Sequence, residues 1–378
     1  MGDIWWPQNG LPVNGSDIPP IAYLDWYEPR LMEKRPHDLS QSGLQLDWSE
    51  ELSGIENLII HPLYDGIDVR QMIAQREGVA IERVVPTHGA TAAIHLAVAA
   101  ALPSGSKRLA VEMPSYAPVS QSARLMGIET VEFNRINSGT GPWKLDRERL
   151  SEIIPTVDGV LITPILNPTG FNLLIEDMDW LVEACRMQGI PLIADEVYND
   201  SLRASGNFRP AHTLGEHCVS INSLTKTYSL GSLRFGWIIA NQEIAKNAMR
   251  ATLTFTGMMA TPSARLAAAA WPHLQKALDA IEERRKHSIP LLEKLLEKHG
   301  IEWQAPPQGV FGAFDIGIDA MQVIDGIGKQ EGLLATPGCM FHKDLKTWMR
   351  VAWSKSPEIF AEDIQALDRV LTSIRPKK

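Results

Sequence analysis

Through the middle of the chain, short apolar runs alternate with helical patterns, and this alternation restricts the possible fold more than any other feature. β-rich runs recur at residues 83–86, 108–112, 159–163, 191–194, 219–222 and 235–240. Several are almost continuously apolar, as strands covered on both faces are. Helix-period stretches lie between them. Residues 91–102 follow one strand, and 177–187, with apolar Met178, Leu181, Val182 and Cys185, precede another. Strand and helix in alternation predict an α/β fold around a mostly parallel sheet.

The texture changes beyond residue 240. Residues 262–299 are almost wholly helical in pattern, broken at Pro272 and Pro290, and predict a long linking helix into a smaller domain. Residues 308–378 mix short strands, such as 349–352, with a final amphipathic helix over 359–374. The first 50 residues carry Trp5, Trp6, Trp26, Tyr27 and Trp48, with six prolines in the first 36 positions, the mark of an extended aromatic arm. The expected division is an arm at 1–50 that contributes to the small domain and to a substrate lid, a large domain at 51–275 and a small domain at 276–378. A length of 378 residues suits two to three units.

Composition removes several classes. With 44% hydrophobic and 21% charged residues the chain is an ordinary globular one, not a disordered or coiled-coil sequence. Its 36 basic and 45 acidic side chains leave −9, a sign that repels phosphate backbones, so no nucleic-acid partner is expected. Cys185, Cys218 and Cys339 are unclustered, which predicts neither a disulfide framework nor a metal site. The opening MGDIWWPQNG lacks the basic and apolar regions of a signal peptide. The most apolar stretch, 92–102, is 11 residues long, too short to span a bilayer. A soluble cytoplasmic protein with no membrane partner is the expectation.

No Walker A loop, GxGxxG, HExxH or GxSxG motif occurs. His88 and His95 read as packed or capping residues. Four other segments stand at predicted strand ends, and each has a bland reading of its own. Gly89-Ala90-Thr91 opens a helix, where free N–H groups and the dipole favour an anion, although Thr91 could simply cap the helix. Asn167-Pro168-Thr169-Gly170 follows the strand GVLITP and has turn chemistry throughout. Asp195, in ADEVY, closes an apolar strand where α/β proteins place ligands, or it caps a helix. Lys226, in SLTKTYSLGSLRFG, lies just beyond another strand, where lysine is usually solvated.

Taken together, in this order, these segments resemble the pyridoxal-phosphate enzymes of fold type I, and most closely the class I/II aminotransferases. The resemblance runs from about residue 39 to 350. It implies a mostly parallel seven-stranded sheet in a large domain, a smaller α+β C-terminal domain, and pyridoxal 5′-phosphate as cofactor. It implies that Lys226 forms the Schiff base and shuttles a proton, and that Asp195 keeps the pyridine nitrogen protonated. Tyr198 and Asn167 would bond the ring's phenolic oxygen, and Tyr116, in EMPSYAPV, would stack on the ring. Gly89, Ala90, Thr91, Ser223 and Arg234 would hold the phosphate. Tyr64, in LYDG with Gly66 and Arg70 at the matching spacing, would reach the phosphate of a second copy, which implies a homodimer with shared sites. Arg350, in WMRVAWS, would grip the substrate α-carboxylate through its planar fork, with a structural salt bridge as the alternative.

Two departures from the family pattern are visible. Ser232 stands where the family has glycine six residues after the lysine, with Gly231 one place early. Residues 37–45, HDLSQSGLQ, match the Leu-Ser-x-Gly substrate loop loosely, with Gly43 one residue late as the candidate substrate contact. No residue is assigned from sequence as a second, side-chain-directed arginine: Arg30, Arg35 and Arg70 could each be proposed, and Arg70 already has a place in the family pattern. The aromatic arm reads as a lid over a neutral or aromatic substrate side chain, or as packing at a dimer seam.

The leading functional expectation is transfer of an amino group between an L-amino acid, neutral or aromatic, and a 2-oxo acid. The alternative keeps the cofactor in a β/γ-lyase or in a cyclase similar to capreomycidine synthase, whose early Ser-Gly segment resembles Gln41-Ser42-Gly43. A non-catalytic effector-sensing domain is a third reading, and it would need a DNA-binding module that the short acidic arm does not supply.

Overall fold

The computed structural model describes residues 21–33, 35–54, 67–206 and 208–374. Trp5, Trp6, Tyr64 and Gly66 lie outside the described residues.

The strands, in chain order, are β1 (His37–Asp38), β2 (Val84–Thr87), β3 (Arg108–Met113), β4 (Glu129–Ile136), β5 (Lys144–Leu145), β6 (Val160–Ile162), β7 (Leu192–Asp195), β8 (Cys218–Ser223), β9 (Gly236–Ile239), β10 (Phe311–Asp315), β11 (Leu333–Leu334), β12 (Thr336–Pro337) and β13 (Trp348–Ala352). One large sheet has the order β2-β9-β8-β7-β6-β3-β4-β5. β3, β4, β6, β7 and β8 pair in parallel, whereas β9 runs against both of its neighbours and β5 runs against β4.

The continuous apolar runs have a direct cause. In β7, Leu192 and Ala194 enter one hydrophobic cluster and Ile193 enters another on the opposite face. β6 and β8 split in the same way, with Leu161 and Val219 on one side and Val160 and Cys218 on the other. Each strand is dry on both faces, so neither face needs polar residues.

The sheet differs from the expected seven strands by one. β5 is an added two-residue edge strand, antiparallel to β4. β4 is also absent from the apolar runs of the sequence, because its segment ETVEFNRI is half-exposed and interleaves charge with apolar residues. Burial still selects within it. Phe133 enters a core cluster, and Arg135 forms a buried 2.6 Å ion pair with Glu112 of β3.

The C-terminal part builds a second sheet, β10-β13-β12, fully antiparallel, in which Ala313 and Thr336 flank Arg350 on β13. β1 pairs in parallel with β11, which ties the N-terminal segment to the same region. The predicted break at Pro272 is real: helix Thr261–Ala270 ends in a turn at Trp271–His273. Pro290 instead lies inside the helix Gln275–Lys298. The lost N–H of one proline is outweighed there by Leu292, Leu295 and Leu296, which bury the following turns against Phe360, Leu367 and Leu371 of the terminal helix Pro357–Ile374.

β6, β7 and β8 are parallel and β2 points the same way, so their carboxyl ends share one edge of the sheet. Gly89, Asn167, Asp195 and Lys226 all follow those ends, and sheet polarity alone brings them together.

Candidate active site

Asp195 is the last residue of β7 and is 6% exposed. Its Oδ1 accepts the Val197 N–H at 3.3 Å, and no helix starts at Asp195 for it to cap. Burial pushes its carboxyl up to about 6, opposed by the Val197 amide and by Lys226. A dry carboxylate with so little cationic company is prepared to hold a proton-bearing partner.

Lys226 follows β8 on a loop tied down at several points. The Ser223 hydroxyl accepts the Thr225 N–H at 3.3 Å, Thr227 Oγ1 donates to the Val197 carbonyl at 3.1 Å, and Tyr228 Oη donates to Asp200 at 2.6 Å. The lysine is not solvated in the usual way. Its Nζ donates to Ser42 Oγ at 3.3 Å. Burial above all, with Arg350 and Arg234 acting the same way and Asp195 opposing, lowers its amine to about 8. Gly43 lies against the lysine stem, since a Cβ there would be 3.6 Å from Lys226 Cδ.

Tyr198 is buried, with its ring edge-on to Phe311 at 4.9 Å and its hydroxyl 3.0 Å from Ser42 Oγ. Burial pushes its phenol up to about 12, although Arg350 and Ser42 pull the other way. Asn167 is buried on the loop after β6. That loop is held by the Glu112–Arg135 pair, because Glu112 accepts the Thr163 N–H at 2.9 Å and Arg135 donates to the Thr163 and Pro164 carbonyls.

Arg350 decides against its salt-bridge alternative. It is 1% exposed and forms no ion pair among the described residues. Its Nη1 donates to Asn167 Oδ1 at 2.9 Å, its Nη2 donates to Thr336 Oγ1 at 3.0 Å and to the Ser40 carbonyl, and its Nε has no partner among the described residues. The rings of Phe341, Tyr23 and Phe311 surround the guanidinium at 4.9, 5.5 and 5.6 Å. A buried cation without an anion costs free energy unless a ligand supplies the anion.

An anion cradle lies beside this cluster. Gly89 precedes the helix Ala90–Ala101 with φ +83° and supplies no side-chain cap, so the first N–H groups of a 12-residue helix are open to a ligand. A side chain at Gly89 would lie 2.7 Å from Arg234 Nη2, so the close approach of the guanidinium depends on glycine. Arg234 is exposed, forms no ion pair among the described residues, and has a left-handed backbone (φ 49°), an unusual state for a residue with a side chain. Gly231–Leu233 form a 3-10 turn just before it, and this is how the displaced glycine and Ser232 are accommodated. Thr91 is exposed at the same helix start. Burial and Tyr23 raise the Tyr116 phenol, Arg234 lowers it and Asp195 raises it, which places Tyr116 within the fields of both halves of the cluster.

The structure therefore brings together Gly43, Gly89, Ala90, Thr91, Tyr116, Asn167, Asp195, Tyr198, Ser223, Lys226, Arg234 and Arg350, with Tyr64 outside the described residues. None of the three candidate second arginines joins them. Arg30 pairs with Asp325, Arg35 with Glu33, and Arg70 donates to the Ile81 and Val84 carbonyls. Trp26 and Trp48 pack in the main core cluster, and the Trp48 Nε1 donates to the Tyr228 carbonyl at 2.9 Å. His95 packs edge-on to Phe255 at 5.2 Å.

Sequence reasoning missed Ser42, Ser40, Tyr23, Thr336 and Phe341. Ser42 stood in view within Gln41-Ser42-Gly43, but only the structure shows its hydroxyl between Lys226 and Tyr198. Tyr23 was hidden among the aromatic residues of the arm.

The family model for aminotransferase class I and II matches residues 62–367. The chain belongs to this family. A histidinol-phosphate aminotransferase of Cronobacter sakazakii is 30% identical over 208 residues, covering 53% of this chain and 54% of that protein. The chain thus spans about half the length of the curated relatives it matches. The fold matches an aspartate aminotransferase of Thermotoga maritima (TM-score 0.81, 20% identity, 96% of this chain and 100% of that one). It also matches the PLP-dependent cyclase OrfR (TM-score 0.78, 21% identity, 97% and 100%).

The family's cofactor is pyridoxal 5′-phosphate, and the residues present fit it. An open helix start with an unpaired arginine suits a phosphate, a dry carboxylate suits a protonated ring nitrogen, and a lysine with a lowered pKa suits an aldehyde. Among the described residues, no helix is long and apolar enough to cross a membrane.

Proposed function

We propose that this protein is a pyridoxal-phosphate-dependent aminotransferase that moves an amino group between an L-amino acid and a 2-oxo acid. One observation carries the reading: Arg350 is a buried guanidinium that, among the described residues, has an unpartnered Nε and no carboxylate of its own, and its field reaches the Lys226 amine. A carboxylate delivered to Arg350 places a substrate beside a base.

The cofactor supplies an aldehyde for a primary amine and a protonated pyridine ring that withdraws electrons. Every other part of the work belongs to the chain. Gly89, Ala90, Thr91, Ser223 and Arg234 bind the phosphate, and Tyr64 of a second copy completes that site in a homodimer. Asp195 holds the proton on the ring nitrogen, and Tyr198 and Asn167 bond the phenolic oxygen, with Tyr116 against the ring face. Lys226, with a pKa lowered to about 8, is partly neutral near neutral pH. It would take the proton from the substrate Cα and deliver it two atoms away in a 1,3 shift, help worth about 10²–10⁴ in rate. Arg350 pairs both carboxylate oxygens, while Tyr23, Phe311 and Phe341 keep water from its faces. The large domain at 51–275 presents the cofactor groups, and 276–378 with the arm presents Arg350 and its cover.

The substrate side chain is neutral or aromatic on this reading. Arg30, Arg35 and Arg70 are engaged elsewhere, and the rings around Arg350 offer no second cation. The Ser42 hydroxyl between Lys226 and Tyr198 favours one second reading, a β/γ-lyase or cyclase, because it adds a proton-exchanging group next to the base.

The test is the visible absorption of the reconstituted protein during addition of single L-amino acids, and of histidinol phosphate, without an oxo acid. Bleaching by one neutral or aromatic donor, reversed by a 2-oxo acid, is the expected outcome. Release of a product without bleaching would replace transamination with the lyase or cyclase reading.

A further inference from the structure

Ser42 has a more constrained place than its loop position suggests. The segment around it is pinned on both sides: the Leu39 amide donates to the Leu334 carbonyl at 2.7 Å, the Leu44 amide to the Lys226 carbonyl at 2.9 Å, and the Gln45 amide to the Ser354 carbonyl at 3.0 Å. Ser42 is 4% exposed, so its hydroxyl has to find its partners within the protein. It finds two, Lys226 Nζ at 3.3 Å and Tyr198 Oη at 3.0 Å. Because the ammonium can only donate, Ser42 Oγ accepts from it, and either hydroxyl can be the donor in the bond between Ser42 and Tyr198.

We propose that Ser42 is a positioning residue for Lys226 and Tyr198, its hydroxyl accepting from the ammonium and fixing the phenol through the same oxygen. A glycine at this place would leave both groups to orient themselves. The inference rests on the proposed function for its catalytic meaning, but the hydrogen-bonded line exists in the chain without it. The charged groups that face Lys226 come from separate elements: Arg350 on β13, Asp195 on β7, and Arg234 on the turn before β9. None of these three is bonded to Ser42, so a shift in the lysine's titration reports the loss of the hydroxyl together with the release of the Tyr198 phenol it holds.

The experiment measures the rate at which an amine-acylating reagent labels Lys226 across pH, followed by mass spectrometry of the peptide that carries it. It uses the full chain freed of cofactor, in the parent, Ser42→Ala and Ser42→Thr proteins. A donated hydrogen bond stabilises the ammonium, so its loss lowers the titration midpoint. A net hydrogen-bond worth converts to a shift of roughly half to one unit. The expected result is a lower midpoint in Ser42→Ala and a midpoint near the parent's in Ser42→Thr, with near-ultraviolet circular dichroism unchanged in both. An unchanged midpoint in Ser42→Ala would overturn the assignment. A fall of equal size in Ser42→Thr would also overturn it, because the hydroxyl would then not be the cause. Absence of any visible band on reconstitution would count against the proposed function while leaving the lysine titration readable.

Discussion

The two halves of the site are built in opposite ways. The cofactor side hangs on the carboxyl ends of parallel strands that are dry on both faces. It is backed by a buried ionic network, in which Asp200 meets Arg76 and Arg203, and Glu77 meets Arg203. Burial alone would raise the Asp200 carboxyl, but the two arginines hold it below its usual range. The substrate side is assembled from segments far apart in the chain: Tyr23, Ser40 and Ser42 from the N-terminal part, Thr336 and Phe341 from beyond β11, and Arg350 on β13. It is closed by aromatic rings, and its guanidinium has no counter-ion among the described residues. The network behind the cofactor side satisfies its charges internally, whereas on the substrate side Arg350 leaves a charge for a ligand to satisfy.

The contrast is broken most severely at Lys226. Lys226→Ala removes both the cofactor attachment and the base, and turnover should fall by more than about 10⁴-fold, read as single-turnover rates with the amino donor.

Asp195 comes next, and it separates function from stability. Its folded carboxyl sits at about 6, above the ordinary carboxylate value. The folded chain therefore keeps a proton that the unfolded chain has lost between about pH 4 and 6, so stability falls as pH rises through that window. Asp195→Asn should remove this dependence and stabilise the cofactor-free protein at pH 7 by up to about 2–3 kcal/mol in urea unfolding. The same change should lower turnover by more than about 10²-fold. Loss of both stability and turnover would mean that the carboxylate is structural.

On the substrate side, Arg350→Lys keeps the charge but loses the fork. A fall of about 10- to 100-fold in kcat/KM, carried mainly by KM for the amino donor, is expected. A wild-type KM would remove Arg350 from carboxylate binding. The smallest effect belongs to Tyr23→Leu, which strips one ring from the guanidinium. KM should rise by about two- to fivefold with kcat retained.

The same contrast explains what the sequence made legible. Gly89, Asn167, Asp195 and Lys226 each follow a strand that its apolar run announces, so strand polarity was enough to gather them. β4 escaped because it is half-exposed and interleaves charge with apolar residues, and β5 because two residues carry no period. Ser42 and Tyr23 escaped for another reason. Their meaning depends on contacts with residues more than 150 and 300 positions away, such as Tyr198 and Arg350, and no local pattern records those contacts. Pro290 looked like a break because local propensity says so, and packing of the leucines beyond it decided otherwise.

The central claim is that Lys226 is the amine that receives the cofactor, and reductive trapping tests it most directly. The protein is incubated with pyridoxal 5′-phosphate, reduced with borohydride, digested and mapped by mass spectrometry. The account predicts a single phosphopyridoxyl mass on the peptide that carries Lys226, with none on that peptide in Lys226→Ala. A stoichiometric label on another lysine, with Lys226 unmodified, would contradict it.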